Sequence, residues 1–358
     1  MVRAPDYVSS LRPYVPGKPV EELERELGIT GSIKLASNEN PLGPSPLALE
    51  SVRRGLKDLN RYPDGSGYYL KNALAGRLSV RPDNIILGNG SNELLDIAVR
   101  TYLTPGEEAV MAHPSFVVYS TAVQAHGGKP VQVPLRDFTH DLAAMRDAVT
   151  GKAKILFIAN PNNPTGTINR RAELDALMES LPQGVLVVVD EAYHEYISDA
   201  EYADSMKWFR QGRDILILRT FSKIYGLAGL RIGYGIAADS IIAEMNKVRA
   251  PFNTGTLAQT AALGALQDSR HVERSREANE QGKRFLYGKL SELGLTFVPT
   301  EANFIYLPVD DAMALYEGLL RRGVIIRPMG PGAVRVTIGL PEENRRFIEA
   351  LTQVISSK

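Results

Sequence analysis

The stretch "VLVVVDEAYHEY", Val185–Tyr196, sets five aliphatic residues directly before an aspartate. Five residues is strand length rather than helix length, and no polar alternation marks an exposed face. The run therefore reads as a central strand of a parallel sheet, covered on both sides. Asp190 stands at its buried end, where a carboxylate is costly unless a cation or hydrogen-bond donors meet it. A cap or an ion pair is the plain explanation. A carboxylate kept for a protonated ring nitrogen is the functional one. Tyr193, three residues on, can donate to a ligand oxygen or simply pack.

Outward from this run, "KILFIANP" (154–161), "DILILRT" (214–220), "AVMAHP" (109–114) and "NIILG" (84–88) are equally short and apolar. Helix-like segments alternate with them, among them "SNELLDIAVRTYL", "SFVVYSTAVQAHG" and "RRAELDALMESL". Alternation from residue 84 to 235 predicts an α/β fold with a mostly parallel sheet. After Asn253 the pattern changes to two helical stretches, then "LTFVPTEANFIYLPV", a helix, the strands "VIIRP" and "VRVTIG", and a last helix from Pro341. That is the pattern of a smaller α+β domain, with a boundary between residues 250 and 280. The expected division is an N-terminal arm and part of the small domain over 1–37, a large domain over 38–254 and a small C-terminal domain over 255–358. Within the arm, "PVEELERELG" predicts a short helix. The proline- and asparagine-rich "KLASNENPLGPSP" predicts a long loop, a feature that is usually functional or disordered.

Composition narrows the chemistry. The chain has 358 residues, with 41 basic balancing 41 acidic residues, so no global field favours nucleic acid or a membrane surface. It has no cysteine, which excludes disulfides, thiolate metal sites and a cysteine nucleophile. No histidine pair has metal-ligand spacing such as H-E-x-x-H, so no metal site is expected. His194 reads as structural. No apolar run approaches the roughly 20 residues of a membrane span, and the first residues lack the apolar core of a signal peptide. A cytoplasmic protein is expected.

In parallel α/β sheets, ligands gather at the carboxyl ends of strands. Three further segments sit there. "LGNGSNELL" (87–95) is a strand end, a glycine turn and a helix start, with Ser91 or Asn92 near a terminus that favours an anion. It lacks the third glycine of a dinucleotide fingerprint and the lysine of a P-loop, and an ordinary strand–turn–helix joint would look the same. "ANPNNPTG" (159–166) can be a turn or a ligand loop. "TFSKIYGLAGLRIGYG" (220–235) can hold a surface lysine in a glycine-rich turn. It also supplies Thr220, Ser222, Lys223 and Arg231 within twelve residues. A cofactor carrying an aldehyde and a phosphate needs a lysine amine, hydroxyls and an arginine for the phosphate, and an acid for its ring nitrogen. Asp190 is that acid, and the helix start at Ser91–Asn92 adds phosphate donors.

"NPNNPTG", "DEAY" and "TFSK" followed by "GLAGLRIGYG" resemble, in order and spacing along nearly the whole chain, the fold-type-I aminotransferases that use pyridoxal 5′-phosphate. "LRPYVPGK", "KLASNENPLGPSP", "LNRYPDGSG", "GNGSNELL", "PFNTGTLAQTAA", "TEANFIYL" and "GVIIRPMGPGAVRVTIGLPEEN" resemble the histidinol-phosphate aminotransferase branch. The resemblance implies a large domain with a mostly parallel seven-stranded sheet flanked by helices, plus a smaller α+β domain.

Roles follow by resemblance, residue by residue. Lys223 would bind the cofactor covalently and then move protons as acid and base. Asp190 would hold the ring-nitrogen proton, and Asn163 and Tyr193 would contact the ring's 3′-oxygen. Ser91, Asn92, Thr220, Ser222 and Arg231 would hold the phosphate, and Phe116 would stack on the ring. Arg335 and Arg327 would grip the substrate anion, with Tyr14, Asn38 and Asn303 nearby. Both arginines could equally be surface residues on edge strands, and the short link between them departs from longer-looped relatives. Tyr62 would reach the neighbouring subunit's site, which implies a homodimer. The implied reaction is transamination of L-histidinol phosphate with 2-oxoglutarate. An aromatic amino-acid aminotransferase and a lyase of the threonine-phosphate decarboxylase kind are the alternatives, as is a ligand-binding protein with a vestigial site.

Overall fold

The computed structural model describes residues 2–356. Twelve strands are found among them: β1 (Ile33–Lys34), β2 (Ile85–Gly88), β3 (Glu108–His113), β4 (Lys129–Pro134), β5 (Ala153–Ala159), β6 (Leu186–Asp190), β7 (Ile215–Thr220), β8 (Gly233–Ile236), β9 (Phe304–Pro308), β10 (Val324–Ile325), β11 (Arg327–Pro328) and β12 (Ala333–Thr337). Seven of them form one sheet in the order β2-β8-β7-β6-β5-β3-β4. Only β8 runs antiparallel to its neighbours; the other pairs are parallel.

The aliphatic runs are covered on both faces. Leu156, Ile158, Val187, Val189, Ile215 and Ile217 point into one apolar cluster. Their alternating neighbours Ile155, Phe157, Leu186, Val188, Leu216 and Leu218 point into the other. The period-two side-chain direction of a strand makes each apolar residue part of one core or the other. Helices cover both faces by the same logic: in Ser91–Tyr102, Leu94, Leu95, Ala98 and Val99 form the stripe that packs on the sheet.

Two strands of this sheet lie outside the apolar runs. β4 is one of the two edge strands and carries Pro130 and Pro134, which a central strand could not hold without losing ladder hydrogen bonds. β8 reads Gly-Tyr-Gly-Ile. A Cβ on Gly235 would lie 3.0 Å from Leu216 and 3.1 Å from Ile86, so its lack of a side chain lets neighbouring strands fill the space.

A second body follows the C-terminal segment. β11, β12 and β9 form an antiparallel sheet in that order. β1 from the N-terminal arm pairs with β10, so the arm adds a strand to this body. Its core joins Leu35 to Ile305, Leu307, Val334, Val336, Phe347 and Leu351. The expected boundary at 254/255 does not hold for the next helix. Thr256–Leu266 buries Ala258, Ala261, Ala262 and Ala265 in the large-sheet core. Its small residues allow close approach to helix Pro46–Gly55, where a Cβ on Gly264 would lie 2.5 Å from the Leu47 carbonyl oxygen. The 24-residue helix Ser269–Glu292 links the bodies. Its Val272 belongs to the large core and its Leu286 and Leu290 to the small one. No helix among the described residues is long and apolar enough to cross a membrane.

Candidate active site

β5, β6 and β7 end at Ala159, Asp190 and Thr220, and all three residues line one cavity. β2 ends at Gly88, two residues before helix Ser91–Tyr102, whose first residues Ser91 and Asn92 line it too. Parallel strands thus bring four carboxyl ends to one place. From the smaller body and the arm come Tyr14, Asn38, Arg327 and Arg335. Phe116, Asn163, Tyr193, Ser222, Lys223 and Arg231 complete the residues singled out in the sequence that meet here.

At one end, Arg231 Nη1 donates to Ser222 Oγ at 3.2 Å, and the Ser222 amide donates to Thr220 Oγ1 at 3.1 Å. Gly90 gives the helix start no side-chain cap. Two glycines make room: a Cβ on Gly90 would lie 2.4 Å from Arg231 Nη2, and one on Gly233 would lie 2.6 Å from the Ser91 amide nitrogen. A guanidinium, two hydroxyls and a helix N-terminus on one small space is a donor set suited to a phosphate.

In the middle, Asp190 is buried, 6% exposed, with no cation paired to it among the described residues. Its Oδ2 accepts from the Tyr119 hydroxyl at 2.8 Å and its Oδ1 from the Ala192 amide at 3.1 Å. Burial pushes its pKa up to about 6 against the pull of those donors. Lys223 Nζ donates to the Ser37 carbonyl at 3.3 Å and sits 5.7 Å from the Tyr193 ring centre. Burial, with Arg335 and Arg231 nearby, lowers its pKa to about 8. The Tyr193 hydroxyl accepts from Asn38 Nδ2 at 2.8 Å.

At the other end, Arg327 and Arg335 are cross-strand partners on β11 and β12. The short link between them is what pairs them. Arg335 is no surface arginine: it is 8% exposed on the middle strand of its sheet. It donates to Asn163 Oδ1 at 2.6 Å and to the Ala36 carbonyl at 2.7 Å, lies 5.3 Å from the Phe304 ring centre, and leaves Nε without a partner. Burial, joined by repulsion from Arg327, pushes its pKa below the ordinary arginine value. Arg327 is half-buried on the edge strand, donates to the Val15 carbonyl at 2.8 Å and stands 5.2 Å from the Tyr14 ring centre.

Two expected site residues lie elsewhere. Asn303 is buried behind the cavity rather than in its wall, and its amide donates to the Asn38 carbonyl at 3.1 Å. It supports the segment that carries Asn38. Tyr62 is 82% exposed, stacked on Phe252 at 4.8 Å, and does not line this cavity. His194 is 3.7 Å from Glu191, outside the cavity wall, and Glu191 in turn pairs with Arg219 at 2.8 Å. Tyr119 is the residue that sequence reasoning passed over. It lies three positions beyond Phe116 on an apolar helix face, and nothing local marks its hydroxyl as bound to a carboxylate 71 residues away.

Around one polar cavity stand a lysine amine, a buried carboxylate and three guanidinium groups with no acidic partner among the described residues. That arrangement suits a phosphate-bearing carbonyl cofactor and a second anion. The family model for "Aminotransferase class I and II" matches residues 30–351. The chain belongs to that family, in its histidinol-phosphate aminotransferase branch. It is 50% identical to the histidinol-phosphate aminotransferase of Moorella thermoacetica, over 98% of this chain and 92% of that one. It is 48% identical to histidinol-phosphate aminotransferase 1 of Nitrosococcus oceani, over 97% and 95%. The crystal structure of histidinol-phosphate aminotransferase from Sinorhizobium meliloti in complex with pyridoxal 5′-phosphate superposes with a TM-score of 0.92, at 29% identity, over 100% of this chain and 98% of that one.

Proposed function

We propose that this chain is a pyridoxal 5′-phosphate-dependent enzyme that transfers the amino group of L-histidinol phosphate to 2-oxoglutarate, giving imidazole acetol phosphate and glutamate. The observation that carries the reading is the pair of cationic ends on one cavity, one beside Lys223 and Asp190 and one reached by both bodies of the chain. Among the described residues, Nε of the buried Arg335 has no partner and no carboxylate pairs with that guanidinium. An anionic ligand there would offset the cost of burying its charge.

The residues present fit the cofactor. Ser91, Asn92, Thr220, Ser222 and Arg231 would hold its phosphate, Phe116 would pack on its ring, Asn163 and Tyr193 would bind its 3′-oxygen, and Asp190 would hold its ring-nitrogen proton. Bound there, pyridoxal phosphate supplies an electrophilic carbonyl and a ring that draws negative charge away from the substrate carbon. Lys223 Nζ, whose amine faces the cavity, would be the group that takes up and releases the proton of the substrate carbon. Burial lowers the Lys223 pKa to about 8, so far more of it is uncharged at neutral pH than of an ordinary lysine. A general base works best when its pKa lies near the working pH. Asp190, with its pKa near 6, is mostly ionised at pH 7, and a cationic ring nitrogen beside it favours the ionised form further.

Arg335 and Arg327 bind the phosphate of histidinol phosphate in one half-reaction and a carboxylate of glutamate or 2-oxoglutarate in the other. A planar guanidinium suits both anions through paired N–H donors. Tyr14 adds a hydroxyl at that end. The reading includes a homodimer in which the exposed Tyr62 reaches the neighbouring subunit's cavity, and a cytoplasmic setting.

A steady-state substrate panel tests the proposal. Histidinol phosphate with 2-oxoglutarate should give the highest kcat/KM, with glutamate formed and no CO₂ released. Equal efficiency with phenylalanine would make the enzyme an aromatic aminotransferase. CO₂ in place of glutamate would make it a lyase.

A further inference from the structure

Tyr119 has one polar atom, in the deep interior, and spends it on one carboxylate. The residue is 1% exposed. Its ring lies flat on Phe157, with centres 4.8 Å apart and planes 5° from parallel. The edge of Phe116 meets it at 5.6 Å. The ring therefore cannot swing, and its hydroxyl is held 2.8 Å from Asp190 Oδ2. The other oxygen of Asp190 is fixed by the Ala192 amide at 3.1 Å. One oxygen is thus set by the chain that carries Asp190, the other by a helix 71 residues earlier.

We infer that Tyr119 is a positioning residue: its hydroxyl fixes the rotation of the Asp190 carboxylate and keeps it ionised for the ring nitrogen of the cofactor. The inference rests on the role proposed above for Asp190. A buried carboxylate without donors tends to take up a proton, and a protonated Asp190 could not hold the ring-nitrogen proton. The ionisable groups facing Asp190 are Tyr119, Tyr193, Lys223 and Glu191. Of these, Tyr119 donates a hydrogen bond to it, and Lys223 attracts its charge from farther off. Burial holds the Tyr119 phenol well above its ordinary pKa, so it remains a donor across the working range. The same ring links Asp190 to Phe116, so the group over the cofactor ring and the group on its nitrogen share one support.

The test is a double-mutant cycle read by cofactor affinity rather than turnover. The full chain, stripped of cofactor, is titrated with pyridoxal 5′-phosphate and with its 1-deaza analogue, in which CH replaces the ring nitrogen. Tyr119→Phe keeps the stacked ring and removes the hydroxyl alone. It should weaken binding of pyridoxal phosphate about tenfold at pH 7, the loss expected for a hydrogen bond to a charged group. The acid limb of affinity against pH should move upward, since Asp190 loses the donor that opposes its protonation. The deaza analogue should bind the variant and the parent alike. In an Asp190→Asn background the same substitution should change affinity by less than about twofold, because coupled partners are not additive. Equal weakening for both ligands, or in both backgrounds, would reduce Tyr119 to a packing residue and overturn the inference. So would unchanged affinity in Tyr119→Phe while Asp190→Asn alone binds poorly. If Asp190→Asn alone leaves affinity for pyridoxal phosphate intact, the role of Asp190 itself fails, a different result from failure of Tyr119.

Discussion

The two cationic ends of the cavity are built in opposite ways. Arg231, Ser222 and Thr220 come from one twelve-residue stretch that begins at the carboxyl end of β7, and the helix start they face is held by strand pairing between β2 and β8. Arg335 instead reaches across the molecule, to the Ala36 carbonyl 299 residues away and to Asn163 172 residues away. Arg327 leans on Val15 and Tyr14 of the N-terminal arm. The first end is a local construction on a rigid sheet. The second exists only when arm, loop and small sheet come together. A group bound throughout the catalytic cycle suits the first; ligands that enter and leave suit the second.

The sharpest way to break this contrast is Lys223→Ala. The phosphate end stays intact, so cofactor should still bind, while borohydride should no longer fix it to the chain. Turnover should fall by about 10⁴-fold, as for loss of an essential acid–base. Turnover retained in this variant would contradict the role of Lys223.

Asp190→Asn separates function from stability. A folded-state pKa near 6, above the ordinary 3.8, means that the folded, cofactor-free protein binds the proton more tightly than the unfolded chain. The ionised group therefore destabilises the fold above about pH 6, and that penalty fades as pH falls toward 4. Removing the charge should stabilise the cofactor-free protein by up to about 3 kcal/mol at pH 8, with the gain vanishing near pH 4. Denaturant unfolding at the two pH values measures it. A loss of stability at pH 8 would mean that the carboxylate is a structural partner rather than a group held in waiting.

Gly90→Ala sharpens the first end. Gly90 has φ +73°, and a Cβ there would displace Arg231. Cofactor affinity should drop about tenfold, the scale of one charge-assisted hydrogen bond, with kcat restored at saturating cofactor. Arg327→Ala probes the second end more gently. This guanidinium is half-buried and solvent-screened, so KM for histidinol phosphate should rise only about three- to tenfold, with cofactor affinity unchanged.

The same contrast explains what was legible in the sequence. Lys223, Arg231 and Asp190 stand in short stretches whose residue types have few other joint uses, and all three line the cavity. The aliphatic strands were plain because burial on both faces forbids polar residues. β4 and β8 were hidden because prolines at an edge and glycines under close packing carry no apolar signal. The sequence of Thr256–Leu266 does not say which body it joins, because its alanine-rich face fits any tight helix contact and only the long-range partner decides which. Asn303 and Tyr119 show the limit more finely. Asn303 donates to the Asn38 and Glu39 carbonyls from behind the wall, Tyr119 donates to Asp190 from within it, and no local pattern encodes such partners.

The role proposed for the Arg335 guanidinium spans both half-reactions. It is tested most directly by measuring KM for histidinol phosphate and for 2-oxoglutarate in Arg335→Ala, alongside cofactor affinity. Both KM values should rise together by about 10²-fold, as when a buried charged partner is lost, with cofactor affinity within about twofold of the parent. A rise for one substrate alone would give the two anions separate sites and contradict the account.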